Sequence, residues 1–195
     1  MDRPPMSGRP IAIVPAAGRG ERFGGAKLLA DVGGRPMLDR TIASLLDAGV
    51  DRVVVVVSPS ARDGFSGVAS LGDPRVSIVV NPDPDRGMFS SILTGLATAE
   101  GDPILVLPGD MPFVQAKTMR LVAERCLSTG RVVTPRRGDS RGHPAALPGR
   151  LRELLLEADP NSNLSAWFAA HVQDRLLVDV DDPGVVRDVD RPGDL

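Results

Sequence analysis

The sequence predicts an α/β/α sandwich of three layers around a mostly parallel sheet. Short apolar segments alternate along the 195 residues with longer amphipathic ones, which is the pattern of strands connected by helices. Residues 53–57 are consecutive valines, and an uninterrupted apolar strand is typical of a sheet that is covered on both faces. The 21 glycines and 18 prolines are spread between these segments, where turns are expected.

The first half of the chain contains the clearest elements. Ile11–Pro15 is short and apolar and is predicted to be a buried strand, and the loop 16–26 follows it. Pro36 is placed to open a helix, because the N–H that proline lacks would have no partner in a first turn, and Gly49 is placed to end that helix. Between them, apolar residues at helical spacing form one face: Leu38, Ile42, Leu45 and Leu46.

The remaining elements continue the alternation. Strands are predicted at 52–57, 75–80, 104–107 and 131–134, and helices at 60–71, 88–100 and 115–129. Beyond residue 135 the predicted elements are a charged loop at 136–141, a helix opened by Pro148, a helix carrying Trp167 and Phe168, and strands at 176–180 and 185–189. We expect one domain over 1–195, with a flexible N-terminus at 1–10 and a small lobe at about 135–180.

Composition and charge exclude several classes of protein. The formal net charge of −2 argues against a whole-surface binder of nucleic acid or of anionic membranes. The longest apolar runs, such as 11–17, fall well short of the ~20 residues of a transmembrane helix, and no apolar core of a signal peptide follows the polar N-terminus. We therefore expect no nucleic-acid partner, no membrane association and a cytoplasmic location. Cys126 is the only cysteine, so an internal disulfide is excluded.

A glycine-rich segment, 15–27, begins at the end of the first predicted strand. Ligands bind at the carboxyl ends of the strands in an open α/β sheet, and glycines allow backbone N–H groups to approach phosphate oxygens closely. Arg22 and Lys27 add positive charge, and Lys27 is one of only two lysines against 21 arginines. The segment departs from the Walker A motif at Ala26 and from the Rossmann motif at Phe23. It predicts a phosphate-binding loop of another type, with a tight connection as the alternative.

Two sets of aspartates are candidates for holding a divalent cation. Asp110 follows the predicted strand 104–107 through a Pro-Gly turn, so it is expected at the same sheet edge as the glycine-rich segment. A carboxylate there suits Mg²⁺, which prefers oxygen ligands and substrate phosphates, although an aspartate in a turn also commonly bonds to nearby backbone N–H groups. Asp188 and Asp190 alternate around Val189, and at period two they would share one face of a strand.

Five motifs in order resemble those of the nucleotidyltransferases that have a GT-A-like fold, and among these the molybdenum cofactor cytidylyltransferases. The resemblance runs from about residue 11 to the C-terminus. It is carried by Pro15-Ala16-Ala17-Gly18, by Asn81 with Gly87-Met88-Phe89-Ser90-Ser91, by Pro108-Gly109-Asp110-Met111-Pro112, by Arg141-Gly142-His143-Pro144, and by 188–194. The Ser-Ser pair and the Ala-Ala-Gly turn resemble the cytidylyl type more than the guanylyl type.

The resemblance implies a Mg²⁺-dependent transfer of a cytidylyl group from CTP to the terminal phosphate of molybdopterin. It implies that Asp110 and Asp190 bind the metal, with Asp188 as the alternative second ligand, and that His143 binds the acceptor phosphate in the 135–180 lobe. The nucleotide-binding residues that it implies are Ala16, Ala17, Gly18, Arg19, Gly20, Arg22, Lys27, Asn81, Ser90 and Ser91. Arg22, Lys27 and Asp110 would act in catalysis, and the product would pass to a molybdoenzyme or its chaperone in a transient contact.

Other interpretations of the same residues stay open. Guanylyl transfer to molybdopterin, or nucleotidyl transfer to a sugar phosphate or a phospho-alcohol, would use the same fold. A redox Rossmann enzyme is disfavoured by Phe23. The set Arg22, Lys27, Asp110 and Asp190 argues against a non-catalytic nucleotide-binding regulator but does not exclude one. Outside the motifs, core or capping roles are expected for Cys126, Trp167, Phe168 and His171, with pterin stacking as the alternative for the two aromatic residues.

Overall fold

The computed structural model describes residues 8–18, 27–62 and 64–194, which build one eight-stranded sheet with helices around it. The strands are β1 (Ile11–Pro15), β2 (Arg52–Val57), β3 (Val76–Val80), β4 (Ile104–Val106), β5 (Val133–Arg137), β6 (Ser140–Arg141), β7 (Ala145–Leu147) and β8 (Leu176–Asp179). Their order is β3-β2-β1-β4-β7-β5-β6, and β8 pairs with β5. The pairs among β1 to β4 and the pair β5–β8 are parallel, whereas β6 and β7 run antiparallel to their neighbours. The sheet is therefore mostly parallel, as predicted.

Helices cover both faces of the sheet, which confirms the three-layer prediction. They are α1 (Met37–Ala48), α2 (Met88–Leu96), α3 (Ala116–Thr129), α4 (Arg152–Leu156) and α5 (Leu164–His171). Apolar side chains of α1 and α3 form a core on one face, and those of α2, α4 and α5 form a core on the other. The five valines of β2 contribute alternately to the two cores and are all fully buried, so this strand is covered on both sides.

Arginine side chains stabilise the ends of three helices. Arg120 donates to two backbone carbonyls at the end of α1, and Arg152 donates to two carbonyls at the end of α2. Arg150 donates to the carbonyl of Gly130, which follows α3 in a left-handed conformation. The last carbonyls of a helix lack partners within the helix and carry partial negative charge, so a guanidinium there is favourable. Part of the arginine excess in the composition therefore has a structural role.

Several predicted elements differ in the structure. The described residues of the predicted helix 60–71, which are 60–62 and 64–71, do not form an α-helix. Short 3-10 turns occur at Pro59–Ala61 and Ala69–Gly72, and Gly64 and Gly67 disfavour a continuous helix. The strand predicted at 131–134 begins at Val133 and continues into a hairpin with β6, where a loop was predicted. The helix predicted at 88–100 ends at Leu96.

The first described residues are tied to the sheet. The N–H of Arg9 donates to the carbonyl of Asp102 at 3.0 Å, and the N–H of Asp102 donates to the carbonyl of Arg9 at 3.0 Å. Of the N-terminal segment 1–10 that was predicted to be flexible, residues 1–7 lie outside the described residues, and its flexibility stays a prediction. In the part of the chain that the structure describes, every helix is too short or too polar to cross a membrane.

Candidate active site

An open cleft of about 1640 Å³ lies where the carboxyl ends of the parallel strands meet. Parallel strands bring the loops that follow them to one edge of the sheet, so the loops after β1, β2 and β4 share this cleft. The turn Lys27–Leu29 and parts of 140–143 and 185–190 form further walls. All five motifs from the sequence contribute residues to the lining, so segments distant along the chain converge on one site.

The ammonium group of Lys27 bridges two carboxylates in this cleft. Its Nζ lies 2.8 Å from Oδ2 of Asp110 and 2.7 Å from Oδ1 of Asp190. Burial acts to lower the pKa of Lys27, but the hydrogen bonds and charges of the two aspartates together outweigh burial, so the pKa is raised and the amine stays protonated. The structure thus brings together three of the residues that the sequence assigned to catalysis and metal binding.

Backbone hydrogen bonds place Asp190 beside Asp110. The N–H of Val189 donates to the carbonyl of Asp110 at 3.0 Å. Oδ2 of Asp194 accepts from the N–H groups of Asp190 and Arg191 at 2.9 and 2.8 Å, which closes a tight turn behind Asp190. The position of the second carboxylate is therefore fixed by main-chain contacts on both of its sides.

The segment that carries Asp190 is not the strand that the sequence predicted. Pro183–Val186 is a 3-10 turn, in which the carboxylate of Asp182 accepts a backbone N–H at 3.0 Å. Because no strand forms here, Asp188 and Asp190 do not lie on one strand face as predicted. Asp188 is exposed on the cleft wall, whereas Asp190 contacts Lys27. Asp190, which the family resemblance implied as the second metal ligand, is thus the aspartate that shares Lys27 with Asp110.

Asp182 is a structural residue that sequence reasoning missed. Its carboxylate is fully buried and accepts from the hydroxyl of Thr118 at 2.7 Å and from the N–H of Gln115 at 3.0 Å, at the start of α3. A Cβ on Gly184 would lie 2.1 Å from the carbonyl oxygen of Phe113, in the loop between β4 and α3, so the two backbones pass very close to each other here. These contacts fix the C-terminal segment on α3. Asp181 and Asp182 are adjacent and identical in type, so the sequence does not indicate which of them is buried.

The carboxylate pair fits a divalent cation. One oxygen from each of Asp110 and Asp190 already contacts a single positive charge. Mg²⁺ is usually bound through one or two carboxylates together with substrate phosphates and water. Among residues 8–18, 27–62 and 64–194, no group of three or more His, Cys, Asp or Glu side chains could hold a metal ion. The donor set therefore suits a cation that is shared with a phosphate ligand.

The described part of the first loop presents its backbone to the cleft. Ala16, Ala17 and Gly18 line it, and the N–H of Ala16 donates to the carbonyl of Val56 at 2.7 Å, which holds the loop against β2. A Cβ on Gly18 would have no neighbour within 4 Å among the described residues beyond those next to it in the chain. The predicted nucleotide contacts Arg19, Gly20 and Arg22 lie outside the described residues.

Asn81, Ser90 and Ser91 form a buried hydrogen-bond network beside the cleft. Nδ2 of Asn81 donates to Oγ of Ser90 at 2.9 Å and to Oγ of Ser91 at 3.0 Å, and its Oδ1 accepts from the N–H of Asp83 at 3.0 Å. Asn81 and Ser90 are buried behind the cleft wall, and their contact with the nucleotide stays a prediction. Ser91 does line the cleft, and the network supports it from behind.

His143 lies in the cleft wall. Its backbone N–H donates to the carbonyl of Val185 at 2.8 Å, and its Nδ1 is buried with no hydrogen-bond partner among the described residues. Burial lowers the pKa of His143 and outweighs the opposing effects of the Val106 backbone and the Asp110 charge. A neutral ring with one unsatisfied nitrogen suits a hydrogen bond to a ligand, since buried polar atoms otherwise have partners.

The remaining residues singled out in the sequence have core or packing roles. Cys126 is buried, and burial raises the pKa of its thiol to about 12. Trp167 and Phe168 are both buried and pack edge to face at 5.9 Å, while the ring of His171 stacks on Trp167 at 4.8 Å. The core predictions are confirmed, and this burial leaves no face of Trp167 or Phe168 for a stacked pterin.

Apolar side chains to which the sequence gave no role also line the cleft. Met88 is 50% exposed at the start of α2, next to the Ser90–Ser91 pair. Further apolar lining comes from Leu28, Leu29, Phe65 and Val186. Exposed apolar side chains beside charged groups are typical of a site that binds a ligand with both a flat ring and a polar part. The available signal in the sequence was a methionine directly after Gly87, at the start of a predicted helix.

The sheet topology, the loop after β1 and the paired aspartates define an α/β nucleotidyltransferase. The chain belongs to the family described as the MobA-like NTP transferase domain, which matches residues 12–176.

Similar proteins agree with this family. A probable molybdenum cofactor guanylyltransferase of Natronomonas pharaonis is 28% identical over 196 residues, covering 96% of each chain. A protein of the same name from Haloferax mediterranei is 39% identical over 103 residues, which are 52% of this chain and 48% of that protein, so the match spans about half its length. The solved structure of a nucleotidyl transferase from Methanothermobacter is 28% identical with a TM-score of 0.77, covering 95% of this chain and 93% of that one.

Proposed function

We propose that the protein transfers a cytidylyl group from CTP to the terminal phosphate of a molybdopterin-type acceptor and releases pyrophosphate. The observation that carries the transfer chemistry is the meeting of Lys27, Asp110 and Asp190 in the cleft at the carboxyl ends of the strands. The acceptor is supported by the names of the relatives and by the Gly-His-Pro element in the cleft wall.

The reaction requires positioning and charge neutralisation more than proton transfer. An oxygen of the acceptor phosphate attacks the α-phosphorus of the nucleotide, and the bond from that phosphorus to pyrophosphate breaks. The attacking phosphate is already ionised near neutral pH, so no catalytic base is needed. His143, whose pKa is lowered by burial, accordingly serves as a hydrogen-bonding residue for the acceptor. Holding both phosphates in line is then the main contribution of the protein.

Each charged residue has a distinct part in this proposal. Asp110 and Asp190 would hold Mg²⁺, which when bound supplies a Lewis acid for phosphate oxygens. Lys27 and Arg22 would offset the charge of the triphosphate and of the leaving pyrophosphate. Backbone N–H groups at 17–20 would bind phosphate oxygens, as glycine-rich turns after a first strand do.

GTP is the second candidate nucleotide. The curated relatives named above are guanylyltransferases, whereas the Ala-Ala-Gly turn and the Ser-Ser pair at 90–91 resemble the cytidylyl type. Only Ser91 of that pair reaches the cleft, so a single hydroxyl and the apolar surface around Met88 would distinguish the bases.

Pyrophosphate release with each nucleotide tests the proposal. The purified protein is incubated with molybdopterin, Mg²⁺ and one of CTP, GTP, ATP or UTP. Release with CTP alone supports the proposal, and release with GTP alone assigns the protein to guanylyl transfer. Asp110→Asn is the matched negative control, because it removes one carboxylate charge with little change in shape. Absence of release with every nucleotide, from a protein that still binds one of them, would contradict an enzymatic function for this acceptor.

A further inference from the structure

Lys27 occupies the position between the two carboxylates that are proposed to hold the metal. Its Nζ contacts one oxygen of each, at 2.8 Å from Asp110 and 2.7 Å from Asp190. Its side chain is only 13% exposed, against 26% for Asp110 and 47% for Asp190, so the ammonium is the most buried member of the group. We refer to this arrangement as the Lys27 bridge.

A divalent cation and the Lys27 bridge compete for the same oxygens. Mg²⁺ binds carboxylate oxygens at about 2.0–2.1 Å, closer than the ammonium does, and a metal placed between these oxygens would overlap with Nζ. Even at a neighbouring position the two positive charges would repel strongly in a partly buried site. The metal can therefore bind both aspartates only when Lys27 moves away.

A triphosphate in the cleft offers Lys27 another anionic partner. The turn Lys27–Leu29 lines the same cleft as Ala16, Ala17 and Gly18, where phosphates are proposed to bind. We infer that Lys27 is a displaceable counter-ion, which keeps the metal affinity of the free protein low and couples metal binding to nucleotide binding. The inference rests on the proposed function, because it takes Asp110 and Asp190 as the metal ligands. By linkage, the nucleotide then strengthens metal binding by the same factor as the metal strengthens nucleotide binding.

Direct binding of Mn²⁺ without nucleotide tests the inference. The affinity is measured by the electron paramagnetic resonance signal of free Mn²⁺ for wild type, Lys27→Met, Lys27→Arg and Lys117→Met. Lys27→Met is expected to bind Mn²⁺ about 5–150-fold more tightly than wild type, the usual range for coupled sites. Lys27→Arg, which keeps the positive charge, is expected to bind no more tightly than wild type. Lys117 is the only other lysine and is exposed on α3, so Lys117→Met is the matched control and is expected to behave as wild type.

Failure of the inference can be distinguished from failure of the proposed function. Suppose that Lys27→Met binds Mn²⁺ no better than wild type, and that adding Asp110→Asn to Lys27→Met abolishes this binding. The metal site is then assigned correctly, but the Lys27 bridge does not restrain metal binding. If Asp110→Asn leaves Mn²⁺ binding unchanged, the metal site itself is wrongly assigned.

A measurement on the wild-type chain covers the case in which Lys27→Met does not fold. Amine-reactive labelling of the two lysines is followed by mass spectrometry during a titration with Mn²⁺ and a non-hydrolysable α,β-methylene analogue of CTP or GTP. When Mn²⁺ alone is added, Lys27 is expected to leave the bridge and to react more with the reagent. When the triphosphate analogue also binds, Lys27 is expected to be protected again, and the labelling of Lys117 is expected to stay constant throughout. Saturation with Mn²⁺ without any change at Lys27 would overturn the inference.

Discussion

The N–H of Val189 donates to the carbonyl of Asp110 at 3.0 Å, and this bond ties the C-terminal segment to the loop after β4. This bond holds the main chain at residues 110 and 190 close together whichever side chains those two positions carry. The site therefore has a fixed frame, on which the side-chain contacts to Lys27 are added. Exchanging the side chain of Asp190 is consequently expected to remove its chemistry while leaving the frame in place.

If Asp190 holds the metal as proposed, Asp190→Asn is expected to lower turnover by about a hundredfold or more, because losing a metal carboxylate removes several kcal/mol of transition-state stabilisation. Asp188→Asn is expected to retain most of the activity, since Asp188 is exposed and does not contact Lys27. Steady-state pyrophosphate release, with circular dichroism to confirm folding, compares the two variants. A larger loss in Asp188→Asn than in Asp190→Asn would reverse the assignment of the second carboxylate.

Asp182→Asn is expected to lower the free energy of unfolding by about 1–3 kcal/mol, because its buried oxygens accept several hydrogen bonds and an amide group would face N–H donors instead. Urea unfolding measures the change. Asp181→Asn is the matched control, since the preceding aspartate is exposed, and it is expected to stay within about 0.5 kcal/mol of wild type. Equal effects of the two substitutions would show that the buried contacts of Asp182 do not stabilise the C-terminal segment.

His143→Ala is expected to raise the KM for the acceptor about tenfold, the equivalent of one hydrogen bond, and to leave the KM for the nucleotide unchanged. Burial lowers the pKa of His143, so its ring is neutral near pH 7. The pH profiles of kcat for wild type and His143→Ala are therefore expected to have the same shape near pH 6.5. Steady-state kinetics with each substrate varied in turn checks both statements. A fall in kcat at unchanged acceptor KM would indicate a catalytic role in place of binding.

The sequence predicts those parts of the site whose position follows from the sheet alone. Asp110 was predicted correctly at the sheet edge because it follows a buried parallel strand through a short turn. The buried valines of β2 and the helix faces of α1 likewise follow from local patterns. These features depend on the spacing of apolar residues and on the order of the elements along the chain, and both can be taken directly from a sequence.

Other features depend on contacts between distant segments and could not be predicted. The choice between Asp188 and Asp190 is made by a 3-10 turn and by a bond to Asp110, neither of which leaves a periodic pattern. Asn81, at the end of β3, donates to the hydroxyls of Ser90 and Ser91, and this contact between two separate segments likewise leaves no periodic pattern. In each case a polar side chain had several chemically adequate partners, and tertiary packing selected one.

The carboxylate of Asp39 on α1 is expected to make stability depend on pH. It is buried and accepts from Nε of Arg35 at 2.8 Å and from the N–H of Ser70 at 2.7 Å. Burial acts to raise the pKa of Asp39, but the bonds from Ser70 and Arg35 outweigh burial and hold the pKa below its ordinary value of 3.8. A folded-state pKa below the unfolded one means that the ionised group stabilises the fold above about pH 4, and that this contribution is lost as the pH falls through the folded-state pKa.

Asp39→Asn is therefore expected to lower the free energy of unfolding at pH 7 by about 1–3 kcal/mol, with the difference from wild type narrowing below about pH 4. Urea unfolding of both proteins at about pH 7, 5 and 3 measures this difference. Asp47→Asn, an exposed aspartate on the same helix, controls for the loss of one negative charge. A difference that stays constant from pH 7 to pH 3 would mean that Asp39 stabilises α1 through packing and not through its charge.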